Sequence, residues 1–123
     1  MNYITIDGDD IGKKISSCYF KNDPDRLKFI SETIQKATTN ISELLISYGF
    51  DIIFCAADGV SGVTHKDIDL IKLFLSLNKI APDGFTFSVG VGRSLRDAYI
   101  ALLEAKSNGK NCLFHYDDVI RID

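Results

Sequence analysis

Acidic residues follow two apolar segments of the chain, at the points where β-strands are predicted to end. Three carboxylates come directly after the β-rich segment 3–6, and Asp58 comes directly after the apolar segment 52–57. Carboxylates that two neighbouring strands bring to one edge of a sheet can hold a divalent cation that serves phosphate chemistry. Mg²⁺ prefers a few carboxylates and leaves its other positions to water and phosphate oxygens. The three carboxylates after the first segment are Asp7, Asp9 and Asp10.

Each of these acids also has a structural explanation when it is taken singly. Asp-Gly sequences form turns, and Asp is a common N-cap residue of helices. Three acids within four residues are harder to explain as caps, because one cap is sufficient and like charges repel. We therefore expect Asp7 and Asp58 to be metal ligands. For Asp9 and Asp10 a cap, a phosphate-binding role and a metal role all stay open.

The residues after the acidic cluster are predicted to begin a helix whose first turn could hold phosphate. Backbone N–H groups point outward at a helix N-terminus, where the dipole is positive. Ile11 and Gly12 leave this turn open to a ligand. Lys106 and Lys110 flank the end of the last predicted helix and could neutralise phosphate charge.

The hydrophobic pattern predicts five strands and four helices in the order βααββαβαβ. Asp58-Gly59 is a strong signal for a two-residue hairpin turn. This order predicts an α+β, ferredoxin-like fold with a central antiparallel hairpin and helices packed on one face of the sheet. Asp7 and Asp58 would then project from the same edge. The predicted strands are 2–7, 50–57, 60–64, 85–91 and 111–116, and the predicted helices are 11–20, 24–48, 66–80 and 95–106.

Length and composition restrict the class of protein further. The chain has 123 residues, 46% of them apolar and 25% charged, which is typical of one soluble domain spanning 1–123. Its net charge of -3 argues against a surface that coats nucleic acid, so no DNA or RNA polymer is expected as a partner. No membrane span or signal sequence is predicted, and a cytoplasmic location is expected. Three widely spaced cysteines are interpreted as reduced core thiols: Cys18, Cys55 and Cys112.

Two motifs resemble families that polymerise or cyclise nucleotides. The sequence DGDDIG at 7–12 is similar to the opening of the polymerase-like palm in the large subunit of type III CRISPR effectors. In length the chain resembles the short stand-alone form of that palm, the minimal CRISPR polymerase. The sequence SVGVGRSLRDAYIALLEAKSNGKN at 88–111 also resembles GGDEF diguanylate cyclases, whose corresponding helix ends in AK-x-x-G-[RK]-N. The resemblance covers nearly the whole chain.

This resemblance implies a palm domain that joins and cyclises nucleoside triphosphates with Mg²⁺ or Mn²⁺. Asp7 and Asp58 correspond to metal ligands, the Gly8 carbonyl to a main-chain ligand, and Asp10 to a further candidate ligand. ATP is the favoured substrate, and a homodimer with two apposed triphosphates is the expected geometry for ring closure. Antiphage second-messenger signalling is the implied role. The nucleotide- and phosphate-binding positions are Asp9, Asp10, Ile11, Gly12, Ala56, Ala57, Gly59, Lys106 and Lys110.

The chain departs from these families at the hairpin motif. It has Ala56-Ala57-Asp58-Gly59 where they have GGDD or GGDEF, so two glycines are alanines and the fourth-position acid is missing. Because the acidic loop and the lysines are kept, we expect activity to be retained. One alternative is a degenerate palm that binds nucleotide without turnover. Another is a phosphoacceptor receiver domain with Asp58 as the phosphorylated residue, which would have an all-parallel sheet.

Overall fold

The computed structural model of the chain describes residues 1–117 and 120–123, which form a six-stranded sheet and four helices. The sequence pattern predicted five of these strands. It missed the last one because three residues are too short to show an alternating pattern. The strands are β1 (Asn2–Gly8), β2 (Asp51–Ala56), β3 (Gly59–Thr64), β4 (Phe87–Gly92), β5 (Leu113–His115) and β6 (Ile120–Ile122), and the helices are α1 (Ile11–Phe20), α2 (Pro24–Ser47), α3 (Leu70–Ile80) and α4 (Leu95–Ser107).

The strand order across the sheet is β2-β3-β1-β4-β5-β6. β1 lies in the middle and is antiparallel to both β3 and β4, while β2 and β3 form an antiparallel hairpin. The first four strands therefore have the ferredoxin-like order, which confirms the predicted fold class. A receiver domain needs an all-parallel sheet, so this alternative is excluded.

The core lies on the face of the sheet to which Ile4 and Ile6 of β1 point. α2 and α3 cover this face with apolar residues spaced three and four apart, such as Ile30, Ile34 and Ile41. α2 begins as predicted, with Asp23 as N-cap accepting a hydrogen bond from the backbone N–H of Arg26. In the described ranges 1–117 and 120–123, no helix is long and apolar enough to span a membrane.

α4 packs on the opposite face, so the prediction that all helices share one face is wrong. The glycines of β4 make this close packing possible. A Cβ atom on Gly90 would lie 2.1 Å from the carbonyl oxygen of Ala98 and 2.3 Å from the backbone nitrogen of Leu102. Three of the four buried residues of α4 are alanines: Ala98, Ala101 and Ala105. This short distance between helix and sheet is what lets the end of α4 reach the end of β1.

β2 was predicted to be a buried strand over 50–57, and this prediction is wrong. It is an edge strand with β3 as its partner, and α4 covers the β4 side of that face instead. Ile53 and Phe54 are therefore 49% and 55% exposed. Cys55 is exposed as well, whereas the other two cysteines are buried as predicted. A run of apolar residues cannot by itself distinguish a covered strand from an uncovered one.

The ends of several other elements also differ from the prediction. β5, for example, covers Leu113–His115 instead of 111–116. α3 begins at Leu70 instead of residue 66, because Asp69 is its N-cap and accepts a hydrogen bond from the backbone N–H of Lys72. β4 begins at Phe87 instead of residue 85, because Phe85 is still part of a turn that bonds back to Pro82.

Candidate active site

The structure brings Asp7 and Asp58 to the same edge of the sheet, as the sequence predicted. Asp7 pairs with Gly59 in the register between β1 and β3. The backbone N–H of Gly8 donates to the carbonyl oxygen of Asp58 at 3.0 Å. The end of β1 and the tip of the β2–β3 hairpin are therefore fixed side by side.

Asp7 and Asp58 are close enough to influence each other electrostatically. Burial raises the pKa of Asp7, and the negative charge of Asp58 raises it further, while Lys106 acts in the opposite direction. A divalent cation bound at this edge would relieve the repulsion that Asp58 exerts on the Asp7 carboxylate.

The oxygen atoms at this edge suit magnesium, although they do not form a complete cage. In the part of the chain that the structure describes, no three His, Cys, Asp or Glu side chains are grouped as a metal site. Asp7, Asp58 and the Gly8 carbonyl offer two carboxylates and one backbone oxygen. Mg²⁺ is commonly held by one or two carboxylates, with water and substrate phosphates completing its shell. The donor set therefore fits this ion.

Asp9 lies between Asp7 and Asp10 in sequence, but its carboxylate points into the protein. It accepts hydrogen bonds from Thr86, Ser88, Lys106 and the backbone of Asn111. Burial by itself would raise the pKa of Asp9, but the hydrogen bonds from Ser88, Lys106 and Thr86 outweigh it and the pKa is lowered. Neither the cap role nor the metal role considered for Asp9 describes this arrangement.

Asp10 is the N-cap residue of α1, but its side chain does not cap the helix. Its backbone has φ 59° and the carboxylate makes no cap hydrogen bond. The carboxylate instead pairs with Lys110, and with Lys13 at 3.6 Å. These two pairs lower the pKa of Asp10, Lys110 through a hydrogen bond having the larger effect.

The first turn of α1 is left accessible, as the sequence suggested. Ile11 is buried and anchors the turn, whereas Gly12 is exposed. A Cβ atom on Gly12 would meet no other atom within 4 Å. A phosphate group could therefore approach the backbone of this turn directly.

Two lysines reach from the end of α4 to the turn between β1 and α1. The Lys106 ammonium donates to the Gly8 carbonyl at 2.7 Å and lies 3.3 Å from Oδ2 of Asp7. Lys110 follows the helix and pairs with Asp10. Both lysines predicted to contact phosphate therefore border the acidic edge.

The hairpin turn differs by one residue from the sequence-based expectation. It consists of Ala57-Asp58, with Ala56 paired to Gly59 across its base, so Gly59 belongs to β3 and not to the turn. Ala57 has φ 50°, in the left-handed region that favours glycine. A Cβ atom on Gly59 would lie 3.5 Å from Oδ1 of Asp7, so an acid at this position would face the metal-binding edge.

A cleft that sequence reasoning missed opens beside Asp58, between α1, α2 and the hairpin. Its volume is about 620 Å³, within the range of small-molecule sites. Ser31 and Gln35 line it from α2, and they lie four residues apart on one face of the helix. That spacing was visible in the sequence, but only the fold shows that the hairpin lies opposite to it. Its other lining residues are Ile11, Gly12, Ile15, Tyr19, Leu27, Ile30, Ile34 and Ala57.

A ferredoxin-like core whose first strand and central hairpin present carboxylates at one edge defines a polymerase-like palm domain. The family model of the minimal CRISPR polymerase domain (mCpol) matches residues 3–116. The chain therefore belongs to the minimal CRISPR polymerase family.

Comparison with solved structures supports the fold assignment. The chain is similar to part of a protein in the crystal structure of a Csm1-Csm4 cassette in complex with one ATP, with a TM-score of 0.68 and 19% sequence identity. The alignment covers 91% of this chain and 20% of the other, so the chain spans about a fifth of that protein's length. At this identity the likeness shows the fold alone. No curated protein matches the chain.

Proposed function

We propose that the chain is a metal-dependent nucleotidyltransferase that joins nucleoside triphosphates, with ATP favoured, and closes them into a cyclic di- or oligonucleotide. The observation that carries this proposal is the meeting of Asp7, Asp58 and the Gly8 carbonyl at one edge, with Lys106 and Lys110 beside them. Membership of a polymerase family supports it. So does the similarity to a protein whose structure was determined as a complex with ATP.

Each group at the edge has a role in this reaction. Asp7, Asp58 and the Gly8 carbonyl would hold Mg²⁺ or Mn²⁺, which when bound lowers the pKa of an attacking ribose hydroxyl and stabilises charge on the phosphates. Lys106 and Lys110 neutralise the triphosphate and the pyrophosphate that leaves. The open first turn of α1 offers backbone N–H groups to the same phosphates.

The cleft between α1, α2 and the hairpin is the place for the base. It borders Asp58, so a nucleotide that extends from the metal edge into the cleft keeps its phosphates near the lysines. Ser31 and Gln35 offer a hydroxyl and an amide to the edge of a base, and Ile15 and Leu27 offer apolar surface to its ring.

Ring closure requires a second nucleotide facing the first, and we propose that a second copy of the chain supplies it. Five large apolar side chains are exposed on β2 and α4, at 47% to 56% of their surface. A groove joins this surface to the site, because Phe54 and Tyr99 line it together with Asp7 and Lys106. A dimer through this surface would bring two sites together. We call this group of five exposed side chains the β2–α4 surface: Ile53, Phe54, Leu95, Tyr99 and Leu103.

The biological setting follows from the family and not from individual residues. Cytoplasmic synthesis of a cyclic nucleotide as a second messenger in antiphage defence is the role that a minimal CRISPR polymerase would serve.

Incubation of the protein with ATP and Mn²⁺ tests the proposal. We expect release of pyrophosphate and a cyclic product detectable by mass spectrometry. Asp7→Ala and Asp58→Ala should each abolish both signals while the circular dichroism spectrum is retained. Asp51→Ala is the matched control, because this exposed acid lies at the other end of the hairpin.

One result would contradict the proposal, and a second would then identify which alternative is correct. If none of the four ribonucleoside triphosphates yields pyrophosphate or a cyclic product, the transferase is refuted. Binding of a non-hydrolysable ATP analogue without turnover would then identify the degenerate palm.

A further inference from the structure

Asp9 is the one buried carboxylate among residues 1–117 and 120–123, with 4% of its surface exposed. Its Oδ1 accepts hydrogen bonds from Ser88 Oγ at 2.6 Å and Lys106 Nζ at 2.9 Å. Its Oδ2 accepts from Thr86 Oγ1 at 2.7 Å and the backbone N–H of Asn111 at 3.0 Å. A carboxylate has about four lone-pair positions, so these donors use its full capacity. No lone pair is left for a metal ion or a helix cap. The backbone N–H of Asp9 donates to the carbonyl oxygen of Thr86 at 2.9 Å, so it is not free to bind a phosphate either.

The first group that Asp9 holds is the Lys106 ammonium. Lys106 is on a flexible four-carbon stem, and it must cross from α4 to the end of β1. Asp9 offers the only buried negative charge along that path in the described residues, while Asp7 is half-buried and 3.3 Å away. The contact with Asp9, together with the shorter one to the Gly8 carbonyl, therefore fixes where the lysine presents its charge.

The second group that Asp9 holds is the loop after α4. Gly109, Lys110 and Asn111 have φ values of 97°, 62° and 49°, so two residues with a Cβ adopt left-handed backbone conformations in succession. Such conformations persist only when surrounding contacts enforce them. The Asn111 N–H provides one of these contacts by donating to Asp9 and, at 3.1 Å, to Ser88 Oγ. The backbone N–H of Lys110 provides another by donating to the carbonyl oxygen of Ala105 at 3.0 Å. Lys110 lies inside this loop.

We infer that Asp9 is a positioning residue of the nucleotidyl-transfer site, and that it acts on the triphosphate through Lys106 and Lys110. This inference rests on the proposed function. It assigns to Asp9 none of the three roles that its place in the acidic cluster suggests. One buried carboxylate positions both lysines, Lys106 by direct contact and Lys110 through its loop, since it ties α4, the loop that follows and β4 to the end of β1.

Asp9→Asn tests the inference, because it keeps the shape of the side chain while it removes the charge and places an amide donor against other donors. The dissociation constants of α,β-methylene-ATP and of AMP, both with Mg²⁺, would be measured by titration calorimetry. We expect the triphosphate analogue to bind about 10- to 100-fold more weakly and AMP to bind unchanged, because AMP lacks the β- and γ-phosphates. A purely structural role would weaken both ligands alike.

Two further variants make the test specific. Thr86→Val removes one donor to Asp9 from a partly exposed position, and it should weaken the triphosphate analogue in the same direction but by less. Ser76→Ala is the matched control, since it removes a hydroxyl of α3 that shares a hydrogen bond with Tyr48 at the end of α2, and it should change neither ligand.

A double-variant cycle shows whether Asp9 acts through Lys106. The loss of triphosphate affinity in Asp9→Asn combined with Lys106→Met should be smaller than the product of the two single losses. If Asp9→Asn does not fold, Thr86→Val replaces it in the same cycle. Multiplicative losses, or equal losses for AMP and the triphosphate analogue, would overturn the inference alone. Absence of any triphosphate binding by the unmodified protein would overturn the proposed function and this inference with it.

Discussion

Replacing Ala57 with glycine should stabilise the protein, because Ala57 holds a backbone conformation that residues with a Cβ atom rarely adopt. It is the first residue of the turn between β2 and β3 and has φ 50°. The left-handed conformation costs an L-residue about 1–2 kcal/mol. Glycine avoids this cost but loses about 0.4–1 kcal/mol more in chain entropy on folding. The net gain is about 0.5–1 kcal/mol, or roughly 2–5 °C in Tm for a chain of this length.

Ala56→Gly is the matched control for this prediction, and it should have the opposite sign. Ala56 is the last residue of β2 and pairs with Gly59, so its backbone is extended and already suits alanine. Glycine at such a position costs roughly 0.5–1 kcal/mol relative to alanine. Urea unfolding, followed by circular dichroism without metal or nucleotide, would give the free energy of unfolding of each variant.

Equal destabilisation by both substitutions would refute the reasoning, because the turn would then not hold Ala57 in the left-handed region. Opposite signs would give different explanations for the two glycines of the GGDD pattern. The second glycine would be explained by backbone conformation. The first glycine would then be explained by the space that a ligand needs.

Three further predictions concern charge and association. Asp7→Asn should stabilise the metal-free protein at pH 7. Because the pKa of Asp7 is raised in the folded protein, the free energy of unfolding is highest while Asp7 is protonated, and it falls as the pH rises from the unfolded-state pKa through the raised pKa. Thermal melts of both proteins across pH 3 to 8 should therefore diverge with rising pH, and parallel curves would contradict this. Gly59→Asp should tighten Mn²⁺ binding in calorimetry and lower metal-free stability, since the new carboxylate would face Asp7; weaker Mn²⁺ binding would show that position 59 does not face the cation. Tyr99→Asp should convert a dimer to a monomer in analytical ultracentrifugation and reduce turnover, whereas Leu75→Asp on the exposed side of α3 should do neither; an unchanged mass for Tyr99→Asp would place the dimer contact elsewhere.

The order of the first four strands could be predicted from the sequence because each of them has a local signal. The alternation in β1 and β4 and the short connection between β2 and β3 together permit few topologies. The position of α4 had a weaker signal. Only Gly90 and Gly92, opposite the alanines of the helix, indicate that this strand takes a helix on its second face.

The candidate site was predictable where it depends on the order of the strands and unpredictable where it depends on burial. Asp7 lies near the end of β1 and Asp58 in the turn between β2 and β3, so topology alone places them at one edge. Asp9 differs, since its role depends on hydroxyl groups 77 and 79 residues away in sequence. Asp9, which the sequence groups with the other acids, is therefore a buried side chain that binds residues of β4 and α4.

The missing acid at position 59 changes the charge balance of the site without removing its metal-binding edge. Burial and Asp58 already raise the pKa of Asp7. A further carboxylate, attached 3.5 Å from Oδ1 of Asp7, would add repulsion to the metal-free state. With glycine there, Lys106 faces the Asp7 carboxylate and the Gly8 carbonyl. Since fewer protein oxygens are then available to a cation, substrate phosphates must contribute more of its ligands. We therefore expect metal and triphosphate to bind this chain cooperatively, with each binding weakly by itself.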